Sequence, residues 1–279
     1  MNSIHNRVVL IGGAGFIGNA IQCELLSSEI PILNIESKYI DLIDPNAQFQ
    51  LKDVIKKTDS VVMLAALTPD RGRDSDTFVK NIQMQDSVLK ALSDINVRHF
   101  IYFSSDAVYG TQEGLINESS NLNPTDVYGA MHASRELMLN KISNIPTAIL
   151  RPTMVYGSGD THKAYGPNRF METSINENQI ILFGDGEELR DYIAVEDVAK
   201  ITRLILQKNY VGVLNIATGN SITFKSIANV IKDNIKHPIS IGRMQRVNNI
   251  FHRHFDITNF IKLFPDYKFK EIEQYLRSC

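Results

Sequence analysis

Short apolar runs alternate with amphipathic stretches over about the first 155 residues. Val8–Ile11, Ile32–Ile35, Ser60–Ala65, Phe100–Ser104 and Ala148–Arg151 predict buried strands. Ile17–Leu26, Asp76–Asp94 and Tyr128–Ser143 carry helical periodicity between them. Strands alternating with helices imply right-handed crossovers, and hence a doubly wound parallel sheet covered on both faces. The texture changes at Tyr156. Gly157–Arg169 mixes Gly, Asp, His, Lys, Pro and Asn without periodicity and reads as loop. A helical Val195–Gln207, a strand at Asn215–Ala217 and a final helix near Glu271–Arg277 follow. The economical division is 1–155 plus 191–218 as one α/β domain, with 156–190 plus 219–279 as a small α/β lobe.

The strongest local signal is the first strand running into Gly12-Gly13-Ala14-Gly15-Phe16-Ile17-Gly18 and then a helix. Glycines in that context permit a tight turn, close approach of backbone N–H groups to a pyrophosphate and close helix–strand packing. The helix N-terminus favours the anion. An acidic residue is then expected at the end of the second strand, to accept bonds from the adenosine ribose. Glu36 stands there, eighteen residues after Gly18. A carboxylate at that point repels a ribose 2′-phosphate, so the pattern favours NAD over NADP, an inference that Lys38 close by weakens slightly. Gly12, Gly13, Gly15, Phe16, Ile17, Gly18 and Glu36 are therefore the first cofactor-binding candidates.

Composition removes other classes. With 29 Lys and Arg against 31 Asp and Glu, the chain has no electrostatic reason to bind nucleic acid or an anionic membrane. No segment approaches the roughly 20 apolar residues that span a bilayer. The two cysteines, Cys23 and Cys279, make no disulfide framework and no metal-ligand cluster, so a cytoplasmic, reducing setting is expected.

With these residues in place, the chain from about Arg7 to Leu263 resembles the extended short-chain dehydrogenase/reductase family, in its nucleotide-sugar epimerase/dehydratase branch. Gly12, Gly15 and Gly18 match its Gly-x-x-Gly-x-x-Gly. Asp41 and Leu42 resemble the acidic segment near the adenine, and Leu64, Ala65 and Ala66 the strand end beside the cofactor. Asn81 falls where the family has a helix Asn that steadies the sheet. Ser104 to Gly110 resembles Ser-Ser-x-x-Val-Tyr-Gly, so that Ser105 takes the catalytic Ser/Thr place, with Asp106 beside the substrate. Arg151–Gly157 resembles the strand turning into the sugar lobe. Gly184–Asp197 resembles the segment whose Arg, here Arg190, meets the nucleotide diphosphate.

The family signature Tyr-x-x-x-Lys is Tyr128-Gly129-Ala130-Met131-His132 here. Spacing i, i+4 puts Tyr128 and His132 on one helix face, both addressing the catalytic and cofactor site. The resemblance implies that Tyr128 exchanges a proton with a sugar hydroxyl while Ser105 bonds the same oxygen. In the family the Lys holds the nicotinamide ribose and lowers the Tyr pKa. Unit charges ~4 Å apart interact by about 4 kcal/mol at an effective dielectric near 20, or roughly three pKa units. Histidine supplies that only when protonated. Three readings follow: Tyr128 works with a weaker helper, another cation serves, or the hydride chemistry is lost.

The resemblance further implies NAD as cofactor, a nucleotide-sugar substrate and a homodimer paired through helices 76–94 and 128–143, with Met84, Val88, Leu89, Leu137 and Leu139 as apolar contacts. Asn168, Arg169 and Arg190 are the substrate-binding candidates beside Ser105 and Asp106. Arg71, Arg73, His162 and Lys163 read as solvated loop charges, with Tyr165 in the same loops. Ala107 stands where a 4,6-dehydratase adds an acid after its Asp, which puts epimerase or ketone reductase ahead of dehydratase. The competing function is a non-catalytic NAD(P)H-binding redox sensor, against which the pair Tyr128 and Ser105 argues.

Overall fold

A computed structural model describes residues 6–160, 166–247 and 249–278. The chain divides into two compact units, one of Met1–Gly110, Asn121–Pro152 and Val198–Leu214, the other of Thr111–Ser120, Thr153–Asp197 and Asn215–Cys279.

The first unit is built on strands β1 (Val8–Ile11), β2 (Ile32–Ile35), β3 (Ser60–Met63), β4 (His99–Phe103), β5 (Thr147–Pro152) and β6 (Gly212–Ile216), in sheet order β6-β5-β4-β3-β1-β2. Every register the sheet shows is parallel: β1 with β2 and β3, β3 with β4, β4 with β5. β1 is buried at all four residues, as a strand covered on both faces must be. Chain order reverses beside β1, so a crevice is expected at its carboxyl end.

Helices α1 (Phe16–Ser27), α2 (Ala47–Val54), α3 (Ser75–Ile95), α4 (Val127–Met138) and α5 (Val195–Lys208) flank the strands. Asp74 caps α3 by accepting from Thr77 N at 2.8 Å, and the left-handed Asn96 ends it. Asp126 caps α4 by accepting from Gly129 N at 2.7 Å. Val9, Ile11, Leu51, Val61, Val88, Leu89, Phe100 and Tyr102 form one continuous core with their neighbours. The helical periodicity over 128–143 resolves into α4 followed by a 3₁₀ turn, Leu139–Ile142.

In the second unit, Leu189–Ala194 pairs in parallel with Met154–Tyr156 and antiparallel with Ser221–Thr223. Gln179–Phe183 pairs in parallel with Ser240–Met244. The helices Pro167–Asn176 and Phe224–Asn234 pack around Tyr156, Ile180 and Leu182. The loop expected over 157–169 is therefore shorter than its composition suggests. Pro167 opens a helix at its first position, where a missing N–H is harmless and the fixed φ suits the turn. His162, Lys163 and Tyr165 lie outside the described residues.

No helix among the described residues is long and apolar enough to cross a membrane, and no group of three His, Cys, Asp or Glu among them could hold a metal ion.

Candidate active site

The glycine turn is forced by its neighbours at three of its four glycines. Gly12 has φ +89°, and a Cβ there would stand 2.6 Å from the Ala65 nitrogen. A Cβ on Gly13 would meet the Asn34 amide at 2.3 Å, and one on Gly18 the Gly13 backbone at 2.6 Å. Gly15 differs: its Cβ would meet only the Gly12 oxygen, at 3.6 Å, an ordinary contact. Protein packing does not require a glycine there, whereas a ligand laid against the turn would. Gly15 is also the N-cap of α1, without a side-chain cap or an acidic residue in the first turn, so the N–H groups of Phe16, Ile17 and Gly18 face no competing carboxylate. These features fit a dinucleotide pyrophosphate.

Glu36 follows β2, half-buried, and its carboxylate pairs with the Lys38 ammonium at 2.9 Å. That partner raises Lys38 above its usual range. Asp41 turns the chain by accepting from Ile43 N at 3.1 Å, while Leu42 beside it is a core residue, 5% exposed. Leu64 and Ala65 both donate backbone N–H to the Ile11 oxygen, holding the 64–66 strand end against the glycine turn. Asn81 of α3 fixes the next segment: its amide oxygen accepts from Leu67 N at 2.9 Å and its nitrogen donates to the Leu67 oxygen at 3.0 Å.

Ser105 caps the 3₁₀ turn Asp106–Tyr109, accepting from Ala107 N at 3.1 Å, and its hydroxyl stands beside the Tyr128 phenol. The approach depends on Gly129, whose Cβ would stand 2.4 Å from the Ala107 oxygen. Only glycine lets α4 sit this close to the turn. Burial, with the nearby Asp106 charge, pushes the Tyr128 phenol up to about 12, while Arg135 and Ser105 pull it back.

His132 is 2% exposed, stands edge-on to the Tyr128 ring at 4.6 Å and lies with Nδ1 2.7 Å from the Tyr102 hydroxyl. Burial, and then the Arg135 charge, hold it well below its ordinary pKa. That direction favours the neutral imidazole, and with it the readings in which Tyr128 works with a weaker helper or another cation serves. Three polar groups not singled out in the sequence surround the pair: Tyr102, Arg135 and Glu136. Glu136 accepts from Ser104 Oγ at 2.5 Å and from Arg151 Nη2 at 2.6 Å, and Arg151 also donates to Tyr109 Oη at 2.8 Å.

The remaining candidates belong to the second unit. Asn168 donates to Asp160 at 2.7 Å and accepts from Gly157 N, and Arg169 beside it is exposed. Arg190 lies over the Phe251 ring at 4.1 Å and donates to the Phe251 oxygen at 2.6 Å. Its neighbour Asp191 is fully buried and gathers the backbone N–H groups of Thr218 and Gly219 at 3.0 and 2.7 Å. In the first unit, Arg71 meets Asp70 at 3.8 Å in solvent and Arg73 reaches the Pro69 oxygen at 3.4 Å, as expected of loop charges.

The sequence model of the NAD dependent epimerase/dehydratase family matches residues 8–217. The chain belongs to this family. Its NAD dependence and epimerase/dehydratase type of enzyme follow from that membership. A dTDP-D-glucose 4,6-dehydratase of Dictyostelium discoideum is 28% identical over 81% of the chain, which spans 61% of that relative's length. A putative UDP-glucose 4-epimerase of Methanocaldococcus jannaschii is 28% identical over 82% of each protein. Among solved structures, the UDP-N-acetylglucosamine 4-epimerase from Methanobrevibacter ruminantium M1, in complex with UDP-N-acetylmuramic acid, superposes with a TM-score of 0.83 at 28% identity, covering 98% of this chain and 96% of that one.

Proposed function

We propose that the protein is an NAD-dependent epimerase or ketone reductase of a nucleotide-activated sugar, with Tyr128 as acid/base. The observation that carries the reading is the hydroxyl pair of Ser105 and Tyr128, brought together across the close contact of Gly129 with Ala107. Such a pair grips one substrate oxygen from two sides and moves its proton. NAD, when bound, supplies the hydride acceptor and donor. The Gly12–Gly18 turn would hold its pyrophosphate, Glu36 its adenosine ribose, Asp41 and Leu42 its adenine, and Leu64–Ala66 with His132 its nicotinamide half.

The relatives act on dTDP- and UDP-sugars by their names, which supports a nucleotide-sugar substrate. Ser105 and Asp106, with Asn168, Arg169 and Arg190, are the proposed substrate contacts, and the second unit is the proposed substrate lobe. Ala107 leaves no second acid beside Asp106, which favours epimerase or reductase over 4,6-dehydratase. A homodimer through α3 and α4 is part of the proposal, supported by Val79 and Leu137, 50% and 70% exposed on those helices. Val88, Leu89 and Leu139 are instead core residues of the chain itself. A cytoplasmic setting is also proposed, Cys23 being a free exposed thiol.

The test is a panel of UDP-, dTDP- and GDP-sugars incubated with protein and NAD, with products followed by NMR and the reduced-nicotinamide absorbance. Turnover that disappears in Tyr128→Phe is the expected result. Tight NAD binding with no turnover across the panel would make the protein a redox sensor instead.

A further inference from the structure

Arg135 is the largest fully buried side chain among the described residues. It is 1% exposed, and its guanidinium donates to the Asn81 oxygen from Nε at 2.9 Å and from Nη2 at 2.5 Å, and to the Ala65 oxygen from Nη1 at 2.9 Å. Among the described residues no carboxylate pairs with it; the adjacent Glu136 is turned to Arg151. A buried cation without a counter-ion is costly to keep, and a neutral side chain could satisfy two carbonyls. The charge therefore calls for a reason beyond anchoring.

Its surroundings supply one. The same guanidinium acts electrostatically on the Tyr102 hydroxyl, which lies 2.7 Å from His132 Nδ1. A nearby cation turns the hydroxyl's oxygen toward itself and its one proton away, which favours Tyr102 donating to Nδ1. Nδ1 is then the acceptor, and the imidazole carries its hydrogen on Nε2. That atom is buried and has no hydrogen-bond partner among the described residues. The Tyr128 ring stands against the same imidazole.

We propose that Arg135 and Tyr102 are positioning residues of this active site: together they fix His132 as a neutral Nε2–H donor turned to the bound cofactor, while the guanidinium supplies the fixed positive charge beside Tyr128. The two tasks assigned to one lysine in the resemblance are thereby divided between a neutral donor and a separate cation. The cofactor part rests on the NAD reading of the preceding subsection; the tautomer does not. The charged and titratable groups around Tyr128 and His132 are Tyr102 of β4, Asp106 of the 3₁₀ turn, and Asp126, Arg135 and Glu136 at or on α4.

Imidazole ¹⁵N NMR of the cofactor-free protein tests the chain of bonds. His132 in the wild type should show one tautomer, protonated at Nε2, with its titration displaced well below the ordinary histidine range. Tyr102→Phe, which removes a single oxygen, should mix the tautomers, and Arg135→Gln should bring the His132 titration back toward its ordinary range. In calorimetry with NAD, His132→Ala should bind about tenfold more weakly, and His132→Gln, which keeps a neutral donor, within a few-fold of wild type. With a sugar substrate, Arg135→Gln should move the alkaline-side pH optimum upward by about one pH unit. A wild-type His132 protonated at Nδ1, or titrating near 6.5, overturns the proposal. So does an Arg135→Gln protein that folds with tautomer and titration both unchanged. Wild-type protein that takes up no NAD defeats the functional reading alone, because the tautomer is read without cofactor.

Discussion

Replacing Gly15 with alanine separates what the fold needs from what a ligand needs. At Gly12 an added methyl would stand 2.6 Å from the Ala65 nitrogen on a backbone at φ +89°. Strain of about 1–3 kcal/mol and overpacking of about 1–3 kcal/mol put Gly12→Ala near 3–5 kcal/mol less stable. Gly15 has φ −76° and ψ 174°, open to any residue, and its methyl finds only ordinary contact. Alanine is a poorer N-cap than glycine by about 0.5–1 kcal/mol, but it restricts the unfolded chain by about 0.4–1 kcal/mol. The two terms cancel, so Gly15→Ala should unfold within about 1 kcal/mol of wild type. A methyl in the space left for a pyrophosphate displaces one or two charge-assisted hydrogen bonds, each worth about 1.5–3 kcal/mol. NAD affinity should then fall by about tenfold or more. Urea unfolding of the free protein and calorimetry with NAD read the two quantities separately. Wild-type NAD affinity in Gly15→Ala, or a stability loss matching that of Gly12→Ala, would refute the reasoning.

Glu136→Ala leaves the Arg151 guanidinium buried without its carboxylate, and chemical denaturation should show a loss of about 3–5 kcal/mol. Glu36→Ser removes the carboxylate that pairs with Lys38, and the ratio of NADP to NAD affinity should rise at least about tenfold, measured by competitive titration. Burial holds His132 and His99 below their ordinary pKa, so below about pH 6.5 the unfolded chain binds protons that the folded one refuses. Stability should accordingly be full above that pH and fall on acidification, by up to about 1.4 kcal/mol per pH unit for each histidine. His132→Gln should flatten the acid limb by one histidine's share, and an unchanged limb would count against a neutral His132. Gly129→Ala gains helix propensity of about 1 kcal/mol yet drives a methyl to 2.4 Å from the Ala107 oxygen. The protein should fold and lose most of its turnover, seen as a fall in kcat larger than any change in NAD affinity.

The opening β1-α1-β2 unit was legible because a continuous apolar run, glycines and one acidic residue each have a local cause. Elements whose cause is distant were not. α2 buries only Ala47 and Leu51, too short a stripe to show a period. The Pro167 helix begins inside a Gly-, Asn- and Pro-rich stretch that reads as loop until the tertiary packing of Phe170 is known. Tyr128, His132 and Arg135 do share a helical face by spacing, but charged helix positions ordinarily face water. Nothing local shows that Arg135 reaches carbonyls 54 and 70 residues back in the chain. Val88 and Leu89 fit an interface and a core equally well by pattern, and only the packed structure places them inside.

Asn81 joins parts that the chain keeps far apart. Its side chain clasps the backbone of Leu67, and its own main-chain oxygen carries Arg135 of α4. The strand end beside the glycine turn and the helix bearing Tyr128 are thereby pinned at one residue of α3. Loosening that pin would let both drift at once, so precision at the two halves of the site is a shared property rather than a local one.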